Sequence, residues 1–235
     1  ITGFFSHEPN GFRRYWDEGT IELDGPELQT LSAAAQKYGI HIVVGFAERG
    51  ESIGVIYNSS ALIGPEGILG VTRKIHFTTL EKLYYTAGET INVFDCDLGK
   101  IGIVICYDAM FPEYTRQLFQ QGVEIIIFSS SMWRGGSRGG VGIDGPKMGF
   151  WKRLVLVMAV QSQAFVVSAN GCGCQDMGCL AGTWERLGIS QIVAPTGEII
   201  QRAKSEPTTL TATLPYSKMV EARTSYRFIT DAMAN

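Results

Sequence analysis

Three side chains in this 235-residue sequence stand where apolar segments end, and their types could carry out nucleophilic chemistry. Cys106 closes the run Ile101–Cys106 and is followed by a short turn and a segment opening on Pro112. A thiol at the carboxyl end of a buried strand projects from the sheet edge, beside backbone N–H groups that could hold an oxyanion. Glu48 ends the apolar run Ile40–Ala47, and Arg73-Lys74 ends the segment that starts at Ile68. A carboxylate and an ammonium in such places are expensive to bury unless paired, which points to a shared polar pocket. Each residue also has a plainer reading: a small buried Cys that fills space, and two solvated strand ends. Among the histidines His7, His41 and His76, only His76 is a candidate for a Cys–His dyad. Cys172, Cys174 and Cys179 could bind zinc or form a labile disulfide. They lack Cys-x2-Cys spacing and a nearby fourth ligand, so unrelated loop cysteines are the default.

The elements that must position these residues are legible in the periodicity. Pro26–Tyr38 carries Leu28, Leu31, Ala34, Ala35 and Tyr38 at helical spacing, with Pro in the first turn and Gly39 as a stop. Ile40–Ala47 reads as a strand too continuously apolar to leave a face in water. Val55–Ile63 and Ile68–Lys74 are strands joined by Gly64-Pro65-Glu66-Gly67, which suggests an antiparallel meander. Ile101–Cys106, the helix Pro112–Gln121 and Val123–Ser129 form a βαβ unit, which argues for parallel pairing. Lys147–Gln163 is a predicted helix and Ala164–Asn170 a strand. Ser190–Pro195 and Glu198–Arg202 flank a Thr196-Gly197 turn, Thr208–Leu214 is a final strand, and Tyr216–Tyr226 a helix. Two sheets packed face to face with helices outside is the simplest arrangement. Glu113 and Arg116, one helical turn apart, read as an ion pair or an interface feature.

Composition narrows the function classes. The chain is 45% hydrophobic and 18% charged, with 28 Gly and 8 Pro, which excludes disorder, collagen and coiled coil and fits a single domain over 1–235. The net charge of −3 with scattered basic residues gives no footprint for nucleic acid or an anionic membrane, and no apolar run is long enough to span one. An odd number of cysteines, 5, favours a reducing compartment, hence the cytoplasm. The Gly135–Gly140 stretch lacks the Gly-Lys-Ser/Thr ending of a phosphate loop and reads as a loop near a site.

Taken in order, these segments resemble the nitrilase superfamily of carbon–nitrogen hydrolases. Gly45-Phe46-Ala47-Glu48 followed by Tyr57-Asn58-Ser59 is similar to the family's catalytic-glutamate segment. Arg73-Lys74-Ile75-His76 with Glu81 and Gly88 is similar to its lysine segment. Gly102–Asp108, continued by Phe111-Pro112-Glu113 and Arg116, resembles the nucleophile segment, and Ala169-Asn170 and Gly188–Glu198 its late strands. Tyr107-Asp108 looks like the amidase and carbamoylase branches, where nitrilases proper carry Trp-Glu. Gln161 stands where a helix glutamate is common.

The resemblance implies a four-layer α-β-β-α sandwich of two mixed sheets. It implies a Glu48–Lys74–Cys106 triad needing no cofactor and no metal. Cys106 is then the nucleophile, Glu48 its base, and Lys74 with the Tyr107 backbone N–H the oxyanion site, while Glu81 orients Lys74. Met132 and Trp133 border the substrate, with Phe5 and Tyr84 as further pocket walls; Trp133 reads equally well as a core aromatic. The expected activity is hydrolysis of a small linear amide or N-carbamoyl compound by a homodimer or higher homo-oligomer. A catalytically inactive scaffold of the same fold is the alternative. Ile1–Phe5 resembles the stretch after the family's first strand, helix and second strand, so the sequence is expected to begin inside the fold.

Overall fold

The computed structural model describes residues 10–78, 81–136, 144–177 and 182–233, which fall into two compact units, Ile1–Cys96 and Asp97–Asn235. Both are mixtures of sheet and flanking helix.

In the first unit, short helix α1 (Gly11–Arg14) runs into a π-helical turn, Tyr15–Gly19, and helix α2 spans Pro26–Tyr38. Strands β1 (Ile42–Arg49), β2 (Ile56–Gly64) and β3 (Gly67–Arg73) form the expected antiparallel meander, and β4 (Val93–Cys96) follows. The β2–β3 hairpin closes on Gly67, whose φ of 113° lies outside the range an L side chain readily adopts. Leu28 and Ala35 of α2, at helical spacing, pack with Ile21, Phe46, Ala61 and Ile63, and Leu31, Val44 and Val71 complete the cluster. The face of the meander that carries Val44 and Phe46 is therefore covered by a helix, which explains why that face of β1 is apolar.

The second unit is built on β5 (Gly99–Ile105), β6 (Ile125–Ser130) and β8 (Phe165–Asn170), which are parallel, with β11 (Gln191–Val193) and β12 (Ile199–Arg202) added antiparallel. Their order is β12-β11-β8-β6-β5. Helix α3 (Pro112–Gln120) makes the crossover from β5 to β6 and buries Tyr114, Leu118 and Phe119. Helix α4 (Asp144–Ser162) precedes β8 and buries Trp151, Val155, Met158 and Ala159 at helical spacing; the Trp151 ring lies 4.9 Å from that of Phe128 on β6. Helices α5 (Tyr216–Ser225) and α6 (Phe228–Met233) close the chain, Met219 of α5 packing on Phe165 and Ala194.

Two features differ from the sequence reading. Residues 208–214 form no strand: the side-chain amide of Gln201 accepts from the N–H of Thr211 and donates to its C=O, so these groups are satisfied without a strand partner. A third sheet, β7-β10-β9, is made by Trp133–Gly136, Thr183–Arg186 and Cys174–Asp176. Its strands of three or four residues are too short for periodicity to reveal, and β7 occupies the start of the glycine-rich segment; residues 137–143 lie outside the described residues. Glu113 and Arg116 form no ion pair among the described residues and instead line, with Phe119, Gln161, Phe228 and Asp231, a groove of about 580 Å³. No helix among the described residues is long and apolar enough to cross a membrane.

Candidate active site

In the first unit the meander brings two buried charges to the ends of β1 and β3. Register places Glu48 opposite Tyr57 and Ser59 opposite Arg73, so Glu48, Ser59 and Arg73 share one face by strand alternation. The Glu48 side chain is 1% exposed, and its carboxylate accepts from Ser59 Oγ at 2.5 Å, from Arg73 Nε at 3.0 Å and from Arg73 Nη2. The Arg73 guanidinium stacks over the Tyr57 ring at 4.1 Å. Its hydrogen bonds to Glu48 hold its pKa above the ordinary arginine value against the opposing pull of burial.

Lys74, the first residue past β3, is completely buried. Its backbone is held on both sides, N–H to Asn58 O at 2.8 Å and C=O from Gly88 N at 2.9 Å. Its Nζ donates to both oxygens of Glu81 at 2.5 Å, and lies 5.3 Å from the centre of the Phe77 ring. Glu81 is itself fixed by the Thr78 N–H at 2.9 Å, the Thr78 hydroxyl at 2.7 Å and Asn58 Nδ2 at 3.3 Å. Thr78-x-x-Glu81 thus has capping-box spacing and makes one half of that motif, the glutamate reaching back to the amide of Thr78, while the Thr78 hydroxyl donates to the same carboxylate. A buried ammonium bonded to both oxygens of a carboxylate has a fixed position, which a flexible surface lysine lacks. The sequence suggested one pocket shared by Glu48, Arg73 and Lys74; the structure makes two pairs, Glu48 with Arg73 and Lys74 with Glu81.

In the second unit Cys106 leaves β5 at a φ of 47°, in the left-handed region, and opens a 3₁₀ turn, Cys106–Met110, that leads into α3. Non-glycine residues adopt this conformation at a cost of about 1–2 kcal/mol, and such strain clusters at functional positions. The side chain is half-buried, and the thiol is free. Parallel pairing sets Ile105 level with Ser129, and Ser129 with Ala169, so Cys106, Ser130 and Asn170 end neighbouring strands at one sheet edge. Beyond that edge the Asn170 amide binds two loops, accepting from Met132 N at 2.9 Å and donating to Gly188 O at 2.6 Å. Trp133 packs edge-on against Trp184 at 5.6 Å and carries the Arg186 guanidinium on its face at 4.4 Å.

The remaining expected residues fall as follows. Tyr107 is half-buried and packs edge-on against Phe111. Met132 is half-buried beside Trp133. Tyr84 lies in a core cluster with Tyr15, Ile56 and Ala47, the last of which precedes Glu48 in sequence. Phe5 and Cys179 lie outside the described residues; Cys174 is on β9, and neither it nor Cys172 joins a metal-competent cluster among the described residues. Sequence reasoning placed Asn58 and Ser59 in the glutamate segment without giving either a role, and missed Thr78 and Arg186. Of these, the capping-box spacing of Thr78 and Glu81 was the one available signal.

With these features in hand, comparison with known proteins defines the class. Residues 1–224 match the family described as carbon-nitrogen hydrolase, and the chain belongs to that family. It is 30% identical over 191 residues to a probable nitrilase of Schizosaccharomyces pombe, covering 79% of this chain and 63% of that protein. It is 29% identical over 219 residues to an omega-amidase of Xenopus laevis, covering 89% and 74%. A 2-oxoglutaramate amidase of Bacillus subtilis is 31% identical over 207 residues, covering 86% and 73%. The fold is that of a carbon-nitrogen hydrolase from Helicobacter pylori, with a TM-score of 0.82 at 22% identity, covering 97% of this chain and 78% of that one.

Proposed function

We propose that the protein hydrolyses a non-peptide C–N bond in a small linear amide or N-carbamoyl compound, with Cys106 as nucleophile. The observation that carries this reading is Cys106 itself, held in a strained left-handed conformation where a buried parallel strand breaks into a helical turn. The names of the Xenopus and Bacillus relatives favour amide over nitrile substrates, as does Tyr107-Asp108 after the nucleophile.

In this reading Glu48 takes the thiol proton as the sulfur attacks the carbonyl carbon, breaking the C=O π bond to give a tetrahedral oxyanion. Lys74 and the Tyr107 backbone N–H stabilise that oxyanion, and Glu81 is the positioning residue that fixes Lys74. Collapse cleaves the C–N bond, the nitrogen leaving with the proton from Glu48 and the acyl group remaining as a thioester on Cys106. Water, deprotonated by Glu48, then attacks the thioester and releases the acid and the thiol. Tyr107, Met132 and Trp133, together with Phe5 and Tyr84, are the proposed pocket walls. The reading keeps the cytoplasmic, homo-oligomeric enzyme that the odd cysteine count and the family resemblance suggest.

The test is ammonia release across a panel of small amides and N-carbamoyl compounds, with mass spectrometry of trapped protein. Wild type is expected to turn over at least one compound and to carry an acyl adduct on Cys106, while Cys106→Ala stays folded and inactive. Full activity in that variant refutes the mechanism, and a folded wild type inert to the whole panel favours the scaffold reading.

A further inference from the structure

His41 and Cys96 belong to the first unit but to neither of its two buried charge pairs. His41 lies between the Gly39 cap of α2 and the start of β1, and because Ile42 pairs with Ile63 it sits beside Gly64. Cys96 is the last residue of β4, carries a reduced thiol, and is bonded directly to Asp97. β4 lies against the meander at Gly70, where the Phe94 ring occupies the space that a Cβ would need. A ring nitrogen of His41, Cys96 Sγ and a carboxylate oxygen of Asp97 all come within 4.8 Å of one another. His41 and Cys96 are half-buried and Asp97 is exposed, so ions can reach the trio from solvent.

The donor set suits zinc. Imidazole nitrogen, thiolate and carboxylate bind Zn²⁺ at about 2.0–2.3 Å, so three of them on one tetrahedral ion stand about 3.3–3.8 Å apart. The separations here lie under 4.8 Å, a spacing that small side-chain rotations bring into that range. A thiolate disfavours Mg²⁺ and Ca²⁺, which take shells of oxygen. A thiolate and a carboxylate beside a neutral imidazole also balance the charge of a divalent ion. Glu66 adds to that field: its Oε2 and His41 Nε2 stand 2.9 and 3.0 Å from the point that a Cβ on Gly64 would occupy.

We infer that His41, Cys96 and Asp97 form a zinc site, with water in the fourth position, that clamps the start of β1 to the end of β4. Glu48 is near the other end of the 8-residue β1, roughly 20 Å away at about 3.3 Å per residue. The ion therefore takes no part in the proposed hydrolysis, and the site stands or falls independently of that reading. Its effect is on the stability of the first unit. β4 has only 4 residues, and a metal bond from its last residue to the turn between α2 and β1 ties it to the meander. His41 and Cys96 are distant in sequence, so the unfolded chain does not hold them together and zinc favours the folded state.

The test uses the full chain, stripped of metal and kept reduced, with Zn²⁺ and the spectroscopic probe Co²⁺. Calorimetry is expected to give a single tight Zn²⁺ site, weakened at least about 100-fold by Cys96→Ser or His41→Gln and about 10-fold by Asp97→Asn. Binding is expected to be unchanged in Cys172→Ser/Cys174→Ser. Co²⁺ is expected to show the visible bands of a tetrahedral ion and a sulfur-to-metal charge-transfer band, both lost in Cys96→Ser. Saturating Zn²⁺ is expected to raise the urea midpoint of wild type and not that of Cys96→Ser. If the variants fail to fold, wild type alone decides. Zn²⁺ is then expected to slow alkylation of Cys96 at least about 10-fold, read by peptide mass spectrometry, and to leave the exposed Cys174 unaffected. No tight Zn²⁺ binding, binding that survives loss of Cys96 and His41 or that vanishes with Cys172 and Cys174, or an unaltered Cys96 alkylation rate overturns the site. Tight binding with an unmoved urea midpoint overturns the clamp.

Discussion

Replacing Arg73 by methionine leaves the Glu48 carboxylate buried with a single neutral donor. Glu48 is 1% exposed, and among the described residues Arg73 supplies two of its three side-chain hydrogen bonds and its only counter-charge, Ser59 supplying the third. Breaking a fully buried pair costs about 3–5 kcal/mol, most of it the uncompensated charge left behind. The Arg73 side chain is 41% exposed, so water can partly take its place, and the expectation falls to about 2–3 kcal/mol. Loss of the stacking on Tyr57 accounts for about 0.5–1 kcal/mol of that. Urea unfolding of the full chain measures the total, and a double-mutant cycle with Glu48→Gln identifies its cause. If the orphaned carboxylate is responsible, Glu48→Gln is mild in wild type, where it strands only a half-exposed guanidinium, and recovers most of the loss in the Arg73→Met background. A loss below about 0.5 kcal/mol, or no recovery on adding Glu48→Gln, refutes the account of Glu48 as a charge that Arg73 keeps buried.

Two further outcomes follow from the same geometry. Cys106→Gly relieves a left-handed backbone costing about 1–2 kcal/mol while adding about 0.4–1 kcal/mol of unfolded-state freedom. The glycine variant is thus expected to be about 0.5–1 kcal/mol more stable than Cys106→Ala in urea; equal stability would remove the case for strain at Cys106. Burial raises the Tyr85 and Tyr114 phenols well above their ordinary value, aided at Tyr85 by Tyr15. A folded-state pKa above the unfolded one means that the unfolded chain loses its proton first. Stability is therefore intact below about pH 10 and falls above it, by up to about 1.4 kcal/mol per pH unit for each phenol. Tyr114→Phe sacrifices the 3.1 Å hydrogen bond to Ile103 O but should flatten that alkaline slope; an unchanged slope between pH 10 and 11 counts against the assignment.

Much of the fold was legible because local patterns and tertiary packing ask for the same thing. Pro26, the helical spacing of Leu28, Leu31 and Ala35, and Gly39 bound α2 at the residues the sequence suggests. The Gly64–Gly67 turn gives the β2–β3 hairpin, and the Cys106 segment gives strand, turn and helix in order. The β7-β10-β9 sheet was illegible because three or four residues are too few for a period of two to be told from chance. Residues 208–214 have strand-like composition, but strand formation requires a partner, and the Gln201 side chain had already engaged Thr211.

The chemistry divides along the same line. By itself the sequence put forward the residues proposed to carry it, because a carboxylate, an ammonium and a thiol at the ends of apolar runs can be read from order alone. Tertiary structure alone decided how the charges are paired: Glu48 with Arg73 and Ser59, and Lys74 with Glu81. Pairing depends on strand register and on which segments meet, contacts between residues as far apart as Glu48 and Arg73. The energy of a buried charge depends on such neighbours, and no window along the chain contains them.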